Sequence, residues 1–264
     1  MSPRSDELIE AARRRLAADR RLPIGRSSIP EHPYQTRLIE LVIFDCDGVL
    51  VDSITLACDL LATMLSEQGL ATTPREARVR YGELLLADVV SIAERELGRT
   101  LPDDWLERYE SRRADAFRAK LMPVPGAAET VLRVSAAGVG VCVASQGKLS
   151  KTRLSLELTG LSDLFSPSAL FSAYSVPRGK PHPDVFLHAA AAMGVQPQRC
   201  VVVEDSPSGV RAAIAAGMRA IGYPADGEET VLRDAGAEIV NSLPQLPPLL
   251  GMSTPSPTRS PSTR

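Results

Sequence analysis

Residues 38–53 read LIELVIFDCDGVLVDS, a stretch in which a nearly continuous apolar run stops at Asp45. An apolar run without alternating polar residues is typical of a parallel β-strand that is covered on both faces. In open sheets of parallel strands, ligands bind outside the carboxyl ends of the strands. The sequence therefore predicts a buried strand over 38–44 and a functional site that begins at Asp45.

Five further apolar runs follow this strand along the chain. They lie at 139–144, 169–173, 200–203, 219–223 and 237–240. Helical periodicity appears between several of them, at about 148–159, 183–193 and 206–217. Strands that alternate with helices predict an α/β fold, here a doubly wound, Rossmannoid core with a mostly parallel sheet.

One interval breaks this alternation, because residues 54–121 show only helical periodicity. We interpret this helical insert as a helical-bundle cap inserted after the first core strand. The predicted organisation is an N-terminal helix and linker (1–36), an α/β core (37–53 and 122–251), the cap (54–121) and a tail (252–264). The tail is polar and rich in proline, so we expect it to be disordered.

The overall composition argues against several classes of partner. The 264 residues include 30 basic and 32 acidic side chains, for a net charge of −2. This balance gives no global field that would attract nucleic acid or a membrane surface, so we expect neither. The four cysteines lack metal-type spacing, which favours a reduced, cytoplasmic protein. We expect a monomer or a weak homo-oligomer.

Polar side chains also follow three of the later strands. Ser145 comes directly after the 139–144 run, and Glu204 and Asp205 come directly after the 200–203 run. Lys180 lies in the loop PRGKPHPD beyond the 169–173 run. A single strand-end acid often only caps a turn or helix, but this combination is hard to obtain from capping alone. The set predicts an active site at one edge of the sheet.

These residue types suit phosphoryl transfer through a covalent intermediate on Asp45. A carboxylate can act as the nucleophile, but a phosphate beside Asp45, Asp47 and Asp205 would be repelled. Two unit charges about 4 Å apart cost about 4 kcal/mol at an effective dielectric of 20. The ammonium of Lys180 and a divalent cation would offset this repulsion, and an all-oxygen ligand set favours Mg²⁺.

The remaining predicted roles concern the proton and the phosphoryl oxygens. Asp47 is the candidate general acid and base, which protonates the leaving oxygen and then activates water. Ser145 is expected to bind phosphoryl oxygens together with Lys180 and with backbone N–H groups after Gly48 and near Gln146.

Four segments resemble the motifs of the haloacid-dehalogenase-like superfamily in order and spacing. They are DCDGVLVDS at 45–53, Ser145, KPHPD at 180–184 and EDS at 204–206. The similarity spans about 38–250 and is closest to the branch of sugar-phosphate phosphatases and β-phosphoglucomutases. It implies a Rossmannoid core, a mobile cap that closes over the substrate, and a Mg²⁺ site. The metal would be held by the Asp45 side chain, the Asp47 carbonyl and Asp205, with Glu204 beside it.

Within that superfamily the residues favour a phosphatase acting on a small phosphorylated metabolite. Asp47 disfavours dehalogenases and phosphonatases, which typically lack an acid at this position. A phosphomutase of the β-phosphoglucomutase type is the main alternative, but it carries a cap histidine, and no histidine occurs between His32 and His182. A non-catalytic phosphate-binding protein is a third possibility, disfavoured because no proposed catalytic position has been lost.

Overall fold

The computed structural model describes residues 39–224 and 229–252, together with Glu10 and Arg14, both of which are helical. The rest of the predicted N-terminal helix, the linker and the tail beyond Met252 lie outside the described residues.

Six parallel strands form one sheet, and each lies within one of the predicted apolar runs. They are β1 (Leu41–Phe44), β2 (Gly140–Ser145), β3 (Leu170–Ser172), β4 (Cys200–Glu204), β5 (Arg219–Gly222) and β6 (Glu238–Ile239). Strands β2 and β4 are the exceptions, and each extends one residue beyond the predicted run. Their order in the sheet is β3-β2-β1-β4-β5-β6, with every neighbouring pair parallel. The predicted doubly wound α/β fold is confirmed.

Ten α-helices connect and cover these strands in the described part of the chain. They are α1 (Ile54–Glu67), α2 (Pro74–Tyr81), α3 (Leu86–Leu97), α4 (Trp105–Lys120), α5 (Ala127–Ala136), α6 (Leu149–Leu158), α7 (Asp184–Ala192), α8 (Pro207–Ala215), α9 (Glu229–Asp234) and α10 (Leu246–Leu249). None of the helices described is both long and apolar enough to cross a membrane.

Strand β1 shows why the sheet needs cover on both faces. Its side chains alternate between two hydrophobic clusters, because successive residues of a strand point to opposite faces. Val42 and Phe44 pack into one cluster, and Leu41 and Ile43 pack into the other. All four are fully buried, so this strand lies at the centre of the core.

The helical insert packs around a hydrophobic cluster of its own. Trp105 is buried there, and its ring stacks on Tyr109 with the centroids 5.8 Å apart. Helix α2 begins with a capping box, in which Thr73 and Glu76 satisfy each other's backbone N–H groups. The four helices α1–α4 therefore have the core and the local signals that a separately packed unit requires.

The register of the sheet brings the strand ends together. Phe44 at the end of β1 is paired with Val143 on one side and with Val203 on the other. The next residues of β1 and β4, and the end of β2, therefore meet at one edge of the sheet.

Candidate active site

The loop after β1 closes tightly around Gly48. The backbone N–H groups of Leu50 and Val51 both donate to the carbonyl oxygen of Cys46 at 3.0 Å. Gly48 has a φ of +77°, a conformation that side chains disfavour. A Cβ at this position would also lie 2.1 Å from a carboxylate oxygen of Asp205. Glycine is therefore needed both for the turn and for the close approach of Asp205.

The backbone N–H of Gly48 forms a hydrogen bond within the loop itself. That N–H donates to the carbonyl oxygen of Val51 at 2.8 Å. A phosphate contact at Gly48 stays a prediction, while the clearance that it gives Asp205 is a feature of the structure.

Asp45 is the first residue beyond β1, and only 7% of its side chain is exposed. Burial raises the pKa of its carboxyl group, and the carboxylates of Glu204 and Asp47 raise it further. The Lys180 ammonium offsets part of this effect, which leaves the pKa at about 7. Lys180 alone therefore does not offset the burial of this carboxyl group.

Lys180 lies between two strand-end acids. Its Nζ is 2.5 Å from Oδ1 of Asp45, 2.5 Å from Oε1 of Glu204 and 3.1 Å from the carbonyl oxygen of Ala144. Burial alone would lower the pKa of this lysine, but Asp45 and Glu204 outweigh it and raise the pKa above its ordinary value. The side chain is therefore a buried ammonium group directed at Asp45.

Asp47 is held by a lysine that the sequence did not single out. Its carboxylate forms an ion pair with Lys151 and accepts a hydrogen bond from Ser53. Burial would raise the pKa of Asp47, but the Lys151 ammonium and these hydrogen bonds lower it below its ordinary value. In this arrangement Asp47 is a carboxylate at neutral pH.

The helical insert faces this part of the site through helix α4. Arg113 lies close enough to Asp47 to help lower its pKa, and its guanidinium stands 5.3 Å from the centre of the Tyr109 ring. At the same interface, Lys148 of the core forms an ion pair with Glu110 of α4, with 2.5 Å between Nζ and Oε1. The insert therefore contributes a cation beside the predicted acid and an ion pair to the core.

Ser145 and Gln146 form hydrogen bonds at the carboxyl end of β2. The fully buried Ser145 Oγ donates to Oδ2 of Asp47 at 3.4 Å and accepts from the N–H of Gly147 at 3.0 Å. The Gln146 side chain accepts a hydrogen bond from the backbone N–H of Lys180 at 3.0 Å. Ser145 therefore contacts Asp47, and the side chain of Gln146 contacts the backbone of Lys180.

The Glu204 carboxylate is fully engaged by the protein. One oxygen contacts Lys180, and the other accepts from the N–H groups of Asp205 and Ser206 at 3.1 Å and from Ser206 Oγ at 2.9 Å. A Cβ at Gly209 would lie 2.0 Å from this carboxylate, so glycine there leaves room for it. This arrangement favours a supporting position for Glu204 beside the predicted metal site.

The donor set fits a hard divalent cation. Burial and the carboxylates of Glu204 and Asp45 raise the pKa of Asp205 well above its ordinary value, so the Lys180 ammonium offsets these acids only in part. Among the residues described, no three His, Cys, Asp or Glu side chains form a complete metal-binding group. Two carboxylates, from Asp45 and Asp205, with the Asp47 carbonyl match Mg²⁺, which binds through one or two carboxylates and keeps several waters.

Comparisons with known proteins agree on one family. Residues 39–217 match the model of the haloacid dehalogenase-like hydrolases. The chain is 34% identical over 212 residues to a 6-phosphogluconate phosphatase of Escherichia coli, covering 80% of this chain and 94% of that protein.

Two solved structures share the fold. A haloacid dehalogenase family hydrolase from Deinococcus radiodurans, with bound phosphate and sodium, superposes with a TM-score of 0.67 and 31% identity, covering 84% of this chain and 100% of that one. A Thermotoga maritima protein assigned as a β-phosphoglucomutase gives a TM-score of 0.65 and 25% identity, covering 80% of this chain and 98% of that one.

Proposed function

Because this chain belongs to the haloacid dehalogenase-like hydrolase family, we propose that it is a Mg²⁺-dependent phosphatase that acts on a small phosphorylated metabolite of the sugar-phosphate type. The observation that carries the proposal is the buried contact of Asp45 with Lys180, with Asp47 held two residues away by Lys151. The similarity to a 6-phosphogluconate phosphatase supports the class of substrate.

In the first half-reaction, Asp45 attacks the phosphorus and the bond from phosphorus to the leaving oxygen breaks. The phosphoryl group is then an acyl phosphate on Asp45, and the leaving oxygen takes a proton from Asp47. Lys180 and Ser145 stabilise the charge on the phosphoryl oxygens. Because the ion pair with Lys151 keeps Asp47 ionised, this step requires that pair to open and Asp47 to take up a proton from solvent before the attack.

In the second half-reaction, Asp47 acts as the base. Its carboxylate accepts a proton from water, the water oxygen attacks phosphorus, and the bond to Asp45 breaks to release inorganic phosphate. The lowered pKa of Asp47 suits this step, since the carboxylate is the form that takes up a proton.

The metal would be held by the Asp45 and Asp205 carboxylates and the Asp47 carbonyl, with Glu204 supporting from the protein side. When bound, Mg²⁺ supplies positive charge that keeps Asp45 ionised and neutralises the phosphoryl oxygens. The protein's own part is to hold Lys180 against Asp45.

We propose that the helical insert selects the leaving group. It contacts the core beside the site through Glu110 and Glu83, and the charge of Arg113 acts on Asp47. We propose that it acts as the cap over the substrate, with the chemistry supplied by the core.

A panel of sugar phosphates, hexitol phosphates and phosphosugar acids tests the function. We expect Mg²⁺-dependent release of inorganic phosphate from at least one member, which stops with chelator. Absence of turnover across the panel would contradict the proposal.

The similarity to the Thermotoga maritima protein keeps a phosphomutase as a second candidate. The same samples distinguish the two, because a mutase supplied with β-glucose 1-phosphate and a bisphosphate primer gives glucose 6-phosphate without net phosphate release. We expect free phosphate as the product.

Metal binding is expected to be visible in stability without any substrate. At a Mg²⁺ concentration about 100 times Kd, a ligand of the folded state adds about 2.7 kcal/mol, which corresponds to a rise in Tm of roughly 5–10 °C. Asp205→Asn should remove this rise, since it deletes one of two carboxylate ligands. Differential scanning fluorimetry with Mg²⁺ and with chelator measures both.

The matched control is Asp59→Asn, which changes an exposed aspartate on α1. It should keep the full Mg²⁺ response. An equal response in Asp205→Asn and Asp59→Asn would mean that the metal binds elsewhere.

A further inference from the structure

The carboxamide of Gln146 forms hydrogen bonds with two different parts of the molecule. Its Oε1 accepts from the backbone N–H of Lys180 at 3.0 Å, within the α/β core. Its Nε2 donates to the carbonyl oxygen of Glu83 at 3.3 Å. Glu83 belongs to the insert loop, which we define as residues 82–85 between α2 and α3. One side chain therefore bridges the helical insert and the loop that carries Lys180.

Gly179 packs closely against the carboxamide of Gln146. A Cβ at Gly179 would lie 2.8 Å from Nε2 and 3.0 Å from Oε1 of Gln146. The backbone of Gly179 does not have a positive φ, so the turn itself does not require glycine. The glycine instead gives the carboxamide room to lie against the backbone beside Lys180.

Lys180 is fixed at both ends as a result. Its ammonium is held by Asp45, Glu204 and the carbonyl of Ala144, while its peptide N–H is held by Gln146. The position of the Lys180 backbone therefore depends on a side chain that is also hydrogen-bonded to the insert loop.

A second contact joins the core to the first residue of α3, directly after the insert loop. The hydroxyl of Tyr174, in the turn after β3, accepts from the backbone N–H of Leu86 at 3.3 Å. Both Gln146 and Tyr174 bind main-chain groups of the insert, so the contacts do not depend on which side chains the loop carries.

We propose that Gln146 is a positioning residue that couples the insert loop to Lys180, so that docking of the helical insert fixes the lysine beside Asp45. The kinetic part of this inference rests on the proposed phosphatase function. In this role the carboxamide of Gln146 acts through its hydrogen bond to the Lys180 backbone.

The test combines hydrogen–deuterium exchange with kinetics on Gln146→Leu and Gly179→Ala in the full chain. Loss of one hydrogen bond is worth a factor of about 2 to 13, so exchange of the Lys180 amide should accelerate by that factor in both variants. On the substrate found in the panel, kcat should fall by about tenfold while KM changes by less than about threefold. Gln198→Leu, an exposed glutamine, is the matched control and should change neither.

Tyr174→Phe removes the hydrogen bond between the core and Leu86 of the insert and leaves the direct contacts of Lys180 in place. It should accelerate exchange of the Lys180 amide in the wild-type background and have no further effect in Gln146→Leu. Wild-type exchange and kcat in both Gln146→Leu and Gly179→Ala would overturn the proposal, as would additive effects of Tyr174→Phe. If the wild type turns over no phosphate ester, the proposed function fails, whereas the exchange experiment still decides the coupling.

Discussion

Asp45→Asn is expected to lower kcat/KM for phosphate release by on the order of 10⁴-fold or more. An amide oxygen is a poor nucleophile, so no acyl phosphate forms even though the side chain keeps its size. The general base and the phosphate contacts would remain in place, but without a nucleophile they support only residual catalysis. A phosphatase assay on the panel substrate, at saturating Mg²⁺, measures the loss.

The same variant should remain folded, because it removes an unfavourable charge. Burial raises the pKa of Asp45 to about 7, so its ionised form is costly in the metal-free protein. We therefore expect a Tm in chelator that is at or above that of the wild type. A low activity that came with a lower Tm would point to misfolding and not to a lost nucleophile.

An acid-quench experiment identifies the covalent step directly. With substrate labelled in the phosphoryl group, the wild type should retain label on the protein and Asp45→Asn should not. Asp59→Asn is the matched control, and we expect both its turnover and its labelling to stay within about twofold of the wild type. Labelling of Asp45→Asn at the wild-type level would place the nucleophile on another residue.

The strand-end acids could be found from the sequence because their signal is local. An apolar run over β1 that stops at Asp45 is visible without knowing what packs against it, and the same is true of Glu204 and Asp205 after β4. Parallel pairing then brings these ends to one edge by topology alone. Fold and strand ends were therefore predictable from short segments and one general rule.

Lys151 shows what local patterns do not reveal. It lies in the first turn of α6, six residues beyond Ser145, and follows no strand end. Its ion pair with Asp47 depends on how α6 packs against the loop after β1, which involves residues about a hundred positions apart. The sequence did contain one signal, because Lys151 lies at the start of the helix that follows β2. The N-terminus of that helix is close to the edge of the sheet where β2 ends.

Gln146 illustrates a second limit. We expect backbone N–H groups near it to bind phosphate, and this stays a prediction, but nothing in the sequence indicated that its side chain contacts Lys180 and Glu83. The second of these contacts exists only because the insert loop docks on the core. The sequence predicts which elements form, but a contact between two separately packed units depends on their relative placement.

Lys180→Met is expected to abolish activity and to destabilise the protein by about 3–5 kcal/mol. Only 3% of this side chain is exposed, and its ammonium lies 2.5 Å from both Asp45 and Glu204. Removing one partner of a buried ion pair leaves an uncompensated charge, which is the costly outcome. Urea unfolding in chelator, followed by circular dichroism, measures the free energy of unfolding without contribution from a metal.

A double-mutant cycle with Glu204→Gln separates the lost charge from lost packing. If the cost arises from an unpaired Glu204 carboxylate, the double variant should be less destabilised than the sum of the single variants, by about 0.5–3 kcal/mol. Lys120→Met, at the exposed end of α4, is the matched control and should change stability by less than about 0.5 kcal/mol. Additive effects in the cycle would show that Lys180 stabilises the core by packing alone, and the view of this lysine as the cation that offsets the buried acids would then be wrong.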